Sequence, residues 1–315
     1  MKIFITGIAG FIGFHTALKM CQEGHQVIGM DNFNNYYDPF LKHSRARILE
    51  EKNINCKFAD LRYKNEIDKL IFNFKPDLVI HLAAMVGIRY SMDHAKEYVD
   101  NNIIGTMNLI EVCETYNIKN VIYASTSCVM HGCELPWNEH DTFKLQINPY
   151  GYTKLINESQ FHISNIPNAV GLRFFTVYGP YGRPDMALFD FTKSIIQGEE
   201  ITLFNYGAMK RDFTYVDDIV QGIGLVANNM TKRDIYCIGY GQQVELEHFV
   251  DAIESSLNIK AKRKYGPKHP ADATETWSDT TKLQKLGYRP KTPINVGVNN
   301  FVEWYKKYYK LLASI

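Results

Sequence analysis

KIFITGIAGFIGF, residues 2 to 14, is the stretch that decides the fold. Its first five residues form a short apolar run with β character, and Gly7, Gly10 and Gly13 lead into a helical pattern that continues to about Gln22. A strand, a tight turn and a helix in this order place free N–H groups and the positive end of a helix dipole beside the turn. Because glycines let the backbone approach a pyrophosphate, the stretch predicts a nucleotide site.

An acidic residue follows the second predicted strand, where a dinucleotide fold requires one. QVIGM (26–30) is typical of a strand, and Asp31 comes directly after it, roughly 20 residues beyond Gly13. A carboxylate there can accept both ribose hydroxyls of an adenosine, and it would repel a 2′-phosphate. We therefore expect NAD rather than NADP, and Asp31 weighs against the alternative that the glycines only pack a βα turn.

Further strand-like runs follow, each separated by a stretch long enough for a helix: NCKFAD (55–60), DLVIHLAA (77–84), NVIYAS (120–125) and AVGLRFF (169–175). The alternation predicts an α/β fold with a doubly wound parallel sheet of Rossmann type, in which ligands bind at the carboxyl ends of the strands. We expect residues 1–174 to form the NAD-binding domain and residues 175–315 a smaller α/β substrate domain. A later segment is expected to return to the first domain.

The composition gives no sign of a macromolecular partner. The 315 residues carry 35 basic and 34 acidic side chains, a net charge of +1, so neither nucleic acid nor a membrane surface is expected. The basic run KAKRKYGPK (260–268) is expected to be a solvated surface or a rim that attracts an anionic ligand. Six cysteines without C-x-x-C or metal-ligand spacing predict a cytoplasmic, reducing location and no metal site.

The segment from Ala124 to Lys154 predicts a catalytic site. Three hydroxyl residues and a cysteine, STSC, end the predicted strand, and Tyr150 and Lys154 lie four residues apart on one face of a predicted helix. A lysine ammonium beside a phenol, with a nicotinamide cation nearby, stabilises the phenolate and lowers a pKa that is about 10 when unperturbed, so the tyrosine can act as a general base. Tyr-x-x-x-Lys alone is frequent by chance, but the dinucleotide turn and the hydroxyl cluster make it specific.

Together these features resemble the extended short-chain dehydrogenase/reductases of the nucleotide-sugar epimerase and dehydratase group. The resemblance implies that Thr126, Tyr150 and Lys154 are the catalytic residues. It also implies a set of NAD contacts along the turn and after the predicted strands, namely Gly7, Gly10, Phe11, Ile12, Gly13, Asp31, Asn32, Asp60, Leu61, Leu82, Ala83, Ala84, Tyr150 and Lys154.

Longer stretches are similar to the UDP-glucuronate 4-epimerases within that group, and the similarity spans nearly the whole chain: DNFNNYYDPFLKHSRARIL (31–49), RFFTVYGPYGRPDMALFDFTKSI (173–195), NYGAMKRDFTYVDDIV (205–220) and ETWSDTTKLQKLGYRPKTPINVGVNNFVEWYKKYY (275–309). The resemblance implies a UDP-sugar between the two domains, with Arg211 near the diphosphate and Asp272 on the uridine ribose. The residues implied near the sugar are Arg89, Ser127, Cys128, Thr176 and Arg183.

The residues after Thr126 separate the reactions of this group. Dehydratases have an Asp-Glu pair there, because eliminating water requires a second acid and base, and decarboxylases that form UDP-xylose have glutamate at the position of Cys128. This chain has Ser127 and Cys128. The implied reaction is therefore NAD-dependent inversion at C4 of a UDP-uronic acid, UDP-glucuronate to UDP-galacturonate, through a 4-keto intermediate, with Tyr150 as the base.

Two other functions stay open at this stage: 4-epimerisation of another UDP-hexose, and a non-catalytic protein that senses NAD or a sugar nucleotide. Met130-His131-Gly132 departs from the Val-Tyr-Gly that the family usually has. Ordinary loop variation would explain this, and so would a reshaped sugar pocket; in either case we expect Met130 and His131 at the pocket rim. His131 has no partner at metal-ligand spacing.

The resemblance also predicts how the chain assembles and where its product is used. It implies a homodimer, formed by long helices that begin after about residue 92 and after Tyr150. It further implies a role in nucleotide-sugar metabolism and polysaccharide biosynthesis.

Overall fold

The computed structural model describes residues 1–143 and 145–312. Its strands are β1 Lys2–Thr6, β2 Gln26–Asp31, β3 Asn55–Phe58, β4 Leu78–His81, β5 Asn120–Thr126, β6 Asn168–Phe174, β7 Thr176–Tyr178, β8 Glu200–Leu203, β9 Lys210–Arg211, β10 Phe213–Tyr215, β11 Asp234–Ile238, β12 Val244–Glu245 and β13 Lys262–Tyr265.

The α-helices are α1 Phe11–Gln22, α2 Phe40–Glu51, α3 Lys64–Phe74, α4 Ile88–Asp93, α5 Ala95–Tyr98, α6 Gly105–Thr115, α7 Pro149–Ile163, α8 Ala187–Gln197, α9 Val216–Asn229, α10 Leu246–Leu257, α11 Thr281–Gln284 and α12 Ile294–Leu312. A π-helical stretch, Val99–Ile104, joins α5 to α6, and 3₁₀ turns span Ser127–Met130 and Phe204–Gly207.

Seven parallel strands form the main sheet, in the order β11-β6-β5-β4-β1-β2-β3. The predicted doubly wound α/β fold is confirmed, and each of the six strands expected from the sequence is present. The chain builds outward from β1 to β3 and then restarts at β4 on the other side of β1. A parallel sheet binds its ligands at such a reversal, so the carboxyl ends of β1 and β4 mark the place to look for a site.

Both faces of this sheet are covered by helices. One face packs a core that includes Phe14 of α1 and Ile223 of α9, and the other packs residues such as Ile71 of α3 and Phe161 of α7. The inner strands β1, β4 and β6 are almost fully buried, which explains their near-continuous apolar sequences.

The remaining elements surround a separate apolar core. It is rich in aromatic rings from three helices, such as Phe189 in α8, Phe249 in α10 and Phe301 in α12. The segment that contains α9 and β11 returns to the first sheet, where β11 pairs with β6. The domain boundary at residue 174 stays a prediction, and residues 313–315 of the predicted substrate domain lie outside the described residues.

A buried ion pair fastens α7 to the sheet. Arg173 of β6 donates from Nε and Nη2 to the two carboxylate oxygens of Glu158, each at 2.9 Å, and the two side chains are only 2% and 7% exposed. The Ser125 hydroxyl donates to the same carboxylate at 2.5 Å. Because Ser125 precedes Thr126 and Glu158 lies on the helix of Tyr150 and Lys154, this pair fixes the two halves of the predicted catalytic site relative to each other.

Removing one member of this pair should destabilise the fold strongly. We expect Glu158→Gln to lower the free energy of unfolding by about 3–5 kcal/mol, because the Arg173 guanidinium would be left buried without a counter-charge. Urea unfolding followed by tryptophan fluorescence measures the change.

The matched control is Glu23→Gln in the partly exposed pair of Lys19 and Glu23, whose atoms lie 3.1 Å apart. It should change the free energy of unfolding by less than about 1 kcal/mol. Equal small changes in the two variants would show that the buried pair does not hold α7 in place.

Candidate active site

The glycine-rich turn packs so closely against the segment that follows β4 that a side chain on the turn would not fit between them. Gly7 has φ +70°, and a Cβ there would lie 2.8 Å from the backbone of Ala83. A Cβ on Gly13 would lie 2.1 Å from the Gly7 carbonyl oxygen. Since α1 begins at Phe11 directly after this turn, its first N–H groups have no partner within the helix and remain available to an anion.

One cleft at the carboxyl ends of the strands contains all fourteen residues predicted to contact NAD, together with Thr126. The lining thus extends from the glycine-rich turn, past Asp31 and Asp60, to Tyr150 and Lys154. It holds about 1390 Å³ of empty space, open solvent included, which is ample for a dinucleotide. The structure brings the predicted residues together, and their individual roles remain predictions.

Asp31 fits the end of the cleft that would bind an adenosine ribose. It is 8% exposed, and its two carboxylate oxygens accept the N–H groups of Phe33 at 2.9 Å and Ala9 at 3.2 Å. A carboxylate can accept more than these two hydrogen bonds, so it keeps capacity for ribose hydroxyls. Burial raises the pKa of Asp31, while the backbone donor of Phe33 and the charge of Lys42 oppose that rise. The residues present therefore fit NAD.

Two cations of α2 near Asp31 were missed by sequence reasoning. Lys42 donates to the backbone oxygen of Asn34 at 2.6 Å, and the fully buried Arg45 donates to the Ala9 carbonyl in the glycine-rich turn at 2.9 Å. Burial lowers the pKa of Lys42 to about 8, although Asp31 raises it. Lys42 and Arg45 lie three residues apart on one helix face, in the helix that follows Asp31, and this spacing is the sequence pattern that could have identified them.

Thr126, Tyr150 and Lys154 line the cleft together, at the end opposite Asp31. Burial raises the pKa of Tyr150 well above its ordinary value, and Cys128 adds to the rise, whereas a hydrogen bond with Thr126 and the charge of Arg183 lower it. The Thr126 oxygen accepts the Cys128 N–H at 3.2 Å, which leaves its own proton free to be donated toward Tyr150.

The electrostatic role of Lys154 stays a prediction. Burial lowers the pKa of Lys154 to about 8, and the Glu158 carboxylate one helical turn away raises it. The sequence predicts that Lys154 lowers the Tyr150 pKa together with a nearby nicotinamide cation; in the protein alone, the hydrogen bond with Thr126 and the charge of Arg183 lower it. Without further positive charge the Tyr150 phenol is protonated at neutral pH.

The residues predicted near the sugar are distributed around the cleft. Arg183 lines it, whereas Thr176 lines a small apolar cavity beside it that shares Arg183. Ser127 and Cys128 begin the 3₁₀ turn after β5 and are partly buried. Burial raises the pKa of the Cys128 thiol, so it is uncharged at neutral pH.

The residues predicted to bind the diphosphate and uridine form a cluster outside the main lining. Arg89 of α4 pairs with Asp272 at 2.7 Å, and its guanidinium lies 4.1 Å from the centre of the Phe204 ring. Arg211 donates to the carbonyl groups of Thr274 at 2.9 Å and Ala273 at 2.6 Å. Both arginines thus face the segment that carries Asp272.

The segment Met130-His131-Gly132, which departs from the family pattern, lies partly beneath the cleft. Met130 is fully buried in a small core with Trp137 and Phe175, and its sulfur lies 3.9 Å from that of Cys237. The expectation that Met130 lies at the pocket rim is therefore wrong. His131 is partly buried, and burial, followed by the charge of Lys268, lowers the pKa of its imidazole.

Sequence reasoning missed other residues that line the cleft. Several belong to the loop after β2 or to segments that follow β4 and β6, and no local motif marks them: Met30, Asn34, Tyr36, Tyr37, Ala59, Met85, Val86, Asn101, Ala124, Phe174, Phe175, Val177 and Met186. Asn101 lies in the π-helical stretch, a rare conformation that often occurs at functional sites.

Two of the five cations in the basic run at residues 260–268 pair with acids of α10. Arg263 pairs with Asp251 at 2.6 Å and Glu254 at 2.9 Å, and Lys260 also pairs with Glu254. Within residues 1–143 and 145–312, no group of three or more His, Cys, Asp or Glu is arranged to hold a metal ion. None of the helices in the described part of the chain is both long and apolar enough to cross a bilayer.

A glycine-rich turn, a buried acid after β2 and a Tyr/Lys pair beside a threonine define a dinucleotide-binding enzyme of the short-chain dehydrogenase type. The chain belongs to the NAD dependent epimerase/dehydratase family, whose model matches residues 3–239.

Similar proteins cover this chain almost completely. Protein CapI of Staphylococcus aureus is 40% identical over 98% of this chain and 100% of its own length. A probable UDP-glucuronate 4-epimerase of Rhizobium meliloti is 36% identical over 98% of both chains. The crystal structure of the Bacillus cereus UDP-glucuronic acid 4-epimerase in complex with UDP-glucuronic acid and NAD superposes with a TM-score of 0.90 at 31% identity, covering 98% of this chain and 100% of that one.

The assignment of Tyr150 as the base predicts a selective loss of catalysis. We expect Tyr150→Phe to lower kcat by about 10²- to 10⁴-fold, because the phenol oxygen that would move the proton is gone. Affinity for UDP, measured by calorimetry, should stay unchanged. Tyr152→Phe on the exposed side of the same helix is the control and should retain full activity. A Tyr150→Phe enzyme with near wild-type kcat would refute the assignment.

Proposed function

We propose that the protein is a UDP-glucuronate 4-epimerase that inverts C4 of the sugar with NAD as its cofactor. The full-length similarity to proteins of that name supports the substrate and the cofactor. The observation that carries the proposal is that Thr126, Tyr150 and Lys154 share one cleft with the glycine-rich turn, and that no carboxylate of β5 or α7 is among the described residues that line this cleft.

The positions of the acidic residues favour epimerisation over dehydration and decarboxylation. Among the described residues that line the cleft, the only carboxylates are those of Asp31 and Asp60. Asp31 ends β2, three strands away from the Thr126 end of β5, a distance of about 14 Å at the usual strand spacing. Dehydration requires an additional acid or base at the sugar, and loss of carbon dioxide from the keto acid, although it needs no such group, would be assisted by one. Neither aspartate can reach the sugar to act in this way.

In the proposed mechanism, Tyr150 as phenolate accepts the proton of the sugar 4-hydroxyl. Thr126 donates a hydrogen bond that holds the reacting oxygen, and the Lys154 ammonium supplies positive charge below its pKa of about 8. Bound NAD supplies the oxidation and re-reduction of C4. The oxidised cofactor's charge would offset the burial that raises the pKa of Tyr150. Tyr150 then returns the proton after the 4-keto sugar has rotated in the pocket to present its other face.

The substrate carboxylate must survive the keto stage, because a β-keto acid loses carbon dioxide readily. Donors that keep the carboxylate hydrogen-bonded oppose this loss, and we assign that role to Ser127, Thr176 and Arg183. We further assign Arg211 to the diphosphate, Asp272 to the uridine ribose and Arg89 to the sugar side of the same region. The ion pair of Arg89 and Asp272 would open or shift when the nucleotide binds.

The proposed reaction is tested by the mass of its product. Incubating the purified protein with UDP-glucuronate should yield UDP-galacturonate, an epimer of unchanged mass, as the main product. Liquid chromatography separates the epimers, and mass spectrometry detects any loss of carbon dioxide. Tyr150→Phe, purified in parallel, controls for contaminating epimerase.

A dominant pentose product would contradict the proposal. Conversion of UDP-glucose or UDP-N-acetylglucosamine without conversion of UDP-glucuronate would contradict it as well, and would favour a 4-epimerase of another UDP-hexose. Binding of the nucleotide sugar without turnover of any of the three would instead favour a sensing protein.

We also propose that the protein is a homodimer formed through the π-helical stretch, α6 and α7. Exposed apolar side chains occur on all three elements: Val99 and Ile104 of the π-helical stretch are 37% and 42% exposed, Met107 of α6 is 40% exposed, and Tyr152 and Ile163 of α7 are 53% and 79% exposed. Because the π-helical stretch packs directly against α7, these residues can contribute to one apolar surface. An isologous contact would bury this surface in both copies.

Light scattering tests the dimer. We expect a particle of twice the 36.3 kDa chain mass at micromolar concentration, and Ile104→Asp should shift it to the single-chain mass. Ile196→Asp on α8 is the matched control, because Ile196 is also 42% exposed but lies on a different surface. A wild-type protein of single-chain mass would contradict the proposal.

We propose a cytoplasmic location and a role in supplying an activated uronic acid for polysaccharide synthesis. All six cysteines, which lie within the described residues, are free, as a reducing compartment would keep them. The proposed product is a nucleotide sugar, the form in which glycosyltransferases accept their donors.

A further inference from the structure

The hydroxyl of Tyr36 and the carboxylate of Asp185 join two loops across the cleft. Tyr36 belongs to the loop after β2, and Asp185 follows Arg183 in the loop after β7. The Tyr36 hydroxyl donates to one oxygen of Asp185 at 2.8 Å, and Arg183 Nε donates to the other at 3.0 Å. Arg183 Nη2 also donates to the oxygen that Tyr36 contacts. One carboxylate therefore holds both side chains.

The loop that carries Tyr36 is itself fixed by side-chain hydrogen bonds. The amide oxygen of Asn32 accepts the N–H of Asn34 at 3.1 Å, and the amide oxygen of Asn34 accepts the N–H of Tyr36 at 3.2 Å. Lys42 donates to the backbone and side-chain oxygens of Asn34 at 2.6 and 2.8 Å. These hydrogen bonds hold the backbone of the loop in place, so the Tyr36 side chain is fixed where it contacts Asp185.

A glycine makes room for the Tyr36 hydroxyl on its other side. Gly87 has φ +105°, and a Cβ there would lie 2.1 Å from the hydroxyl oxygen. The Tyr36 ring also packs edge-on against Tyr90, with the ring centres 5.0 Å apart. The hydroxyl therefore lies where three segments meet: the loop after β2, the start of α4 and the loop after β7.

The charges in this cluster are balanced. Burial alone would raise the pKa of Asp185, but the charge and hydrogen bonds of Arg183 and the hydrogen bond from Tyr36 lower it below its usual value. Arg183 lines the cleft, whereas Asp185 is not part of the lining. Since Asp185 occupies Nε and Nη2, the Nη1 group of Arg183 is left to face a ligand.

We propose that Asp185, held by Tyr36, is a positioning residue that orients Arg183 toward the carboxylate of a uronic sugar. This inference rests on the proposed function. A guanidinium fixed at two nitrogens offers its remaining donors in one direction, so a planar carboxylate is favoured over the neutral hydroxymethyl group of a hexose. Asp185 also cancels most of the charge of Arg183, so selection depends on geometry rather than on a general attraction of anions.

The test is the ratio of two dissociation constants, that of UDP-glucose over that of UDP-glucuronate, measured by calorimetry in a Tyr150→Phe background to prevent turnover. We expect Asp185→Asn to lower this ratio about 10-fold and Tyr36→Phe about 3-fold, as hydrogen bonds to charged and neutral groups are lost. The dissociation constant of UDP alone should not change, because UDP does not require Arg183.

Tyr90→Phe is the matched control: it removes a hydroxyl from the neighbouring ring without touching Asp185, and it should leave the ratio unchanged. In an Arg183→Lys background, Asp185→Asn should cause no further loss, because Asp185 acts through Arg183. An unchanged ratio in both variants, or an additive loss in that background, would overturn the inference. If Asp185→Asn does not fold, as judged by thermal melting, Tyr36→Phe decides alone.

The Tyr150→Phe protein that keeps Asp185 and Tyr36 provides a separate check of the proposed function. If the Tyr150→Phe protein, with Asp185 and Tyr36 intact, binds UDP-glucuronate no better than UDP-glucose, the substrate assignment fails, and this inference fails with it. A clear preference there that persists in Asp185→Asn and Tyr36→Phe would overturn the inference alone.

Discussion

The contact between two backbones at the base of the cleft, Gly7 against Ala83, is the constraint on which the rest of the site depends. It lies where β1 and β4 run side by side and the order of the strands reverses. With no side chain between them, the cleft floor consists of peptide groups, and α1 can begin directly above it with unpaired N–H groups. The flanking strands then bring Asp31 to one end of the cleft and Thr126 to the other.

The charged groups around this floor are balanced by near neighbours. Glu158 and Arg173 neutralise each other below the catalytic helix, and Arg183 is neutralised by Asp185 at the sugar side. A buried charge without a partner costs several kcal/mol, so the fully buried pair of Glu158 and Arg173 contributes to the stability of the fold, whereas the partly exposed pair of Arg183 and Asp185 costs less to break. The consequence for catalysis is that the cleft has little net charge of its own. The charge of a bound cofactor or substrate can therefore shift the Tyr150 equilibrium more than it would in a site dominated by fixed charges.

Local sequence patterns predicted the first six strands of the sheet, the glycine-rich turn and Asp31, whereas the other predicted cofactor contacts came from the family resemblance. The strand bounds at Lys2–Thr6 and the helix end at Gln22 agree with the structure, because apolar periodicity and glycines act within a few residues. The partnership of Tyr36 with Asp185 could not be predicted in this way, since it joins residues 149 positions apart. Met130 was placed wrongly for the same reason: its burial depends on Cys237 of β11, which the chain reaches only after a long excursion.

The segment after Thr126 connects this packing to the chemistry. Met130 extends into a small core and fixes the end of the 3₁₀ turn, so a buried side chain two or three residues away holds Ser127 and Cys128, which directly follow Thr126 of the cleft. Burial raises the pKa of the Cys128 thiol, so the thiol is uncharged at neutral pH. A glutamate in its place would bring a proton-transfer group to this position. With the thiol there instead, the proposed proton transfer rests on Tyr150 alone, which would suffice for oxidation and re-reduction at one carbon but not for elimination.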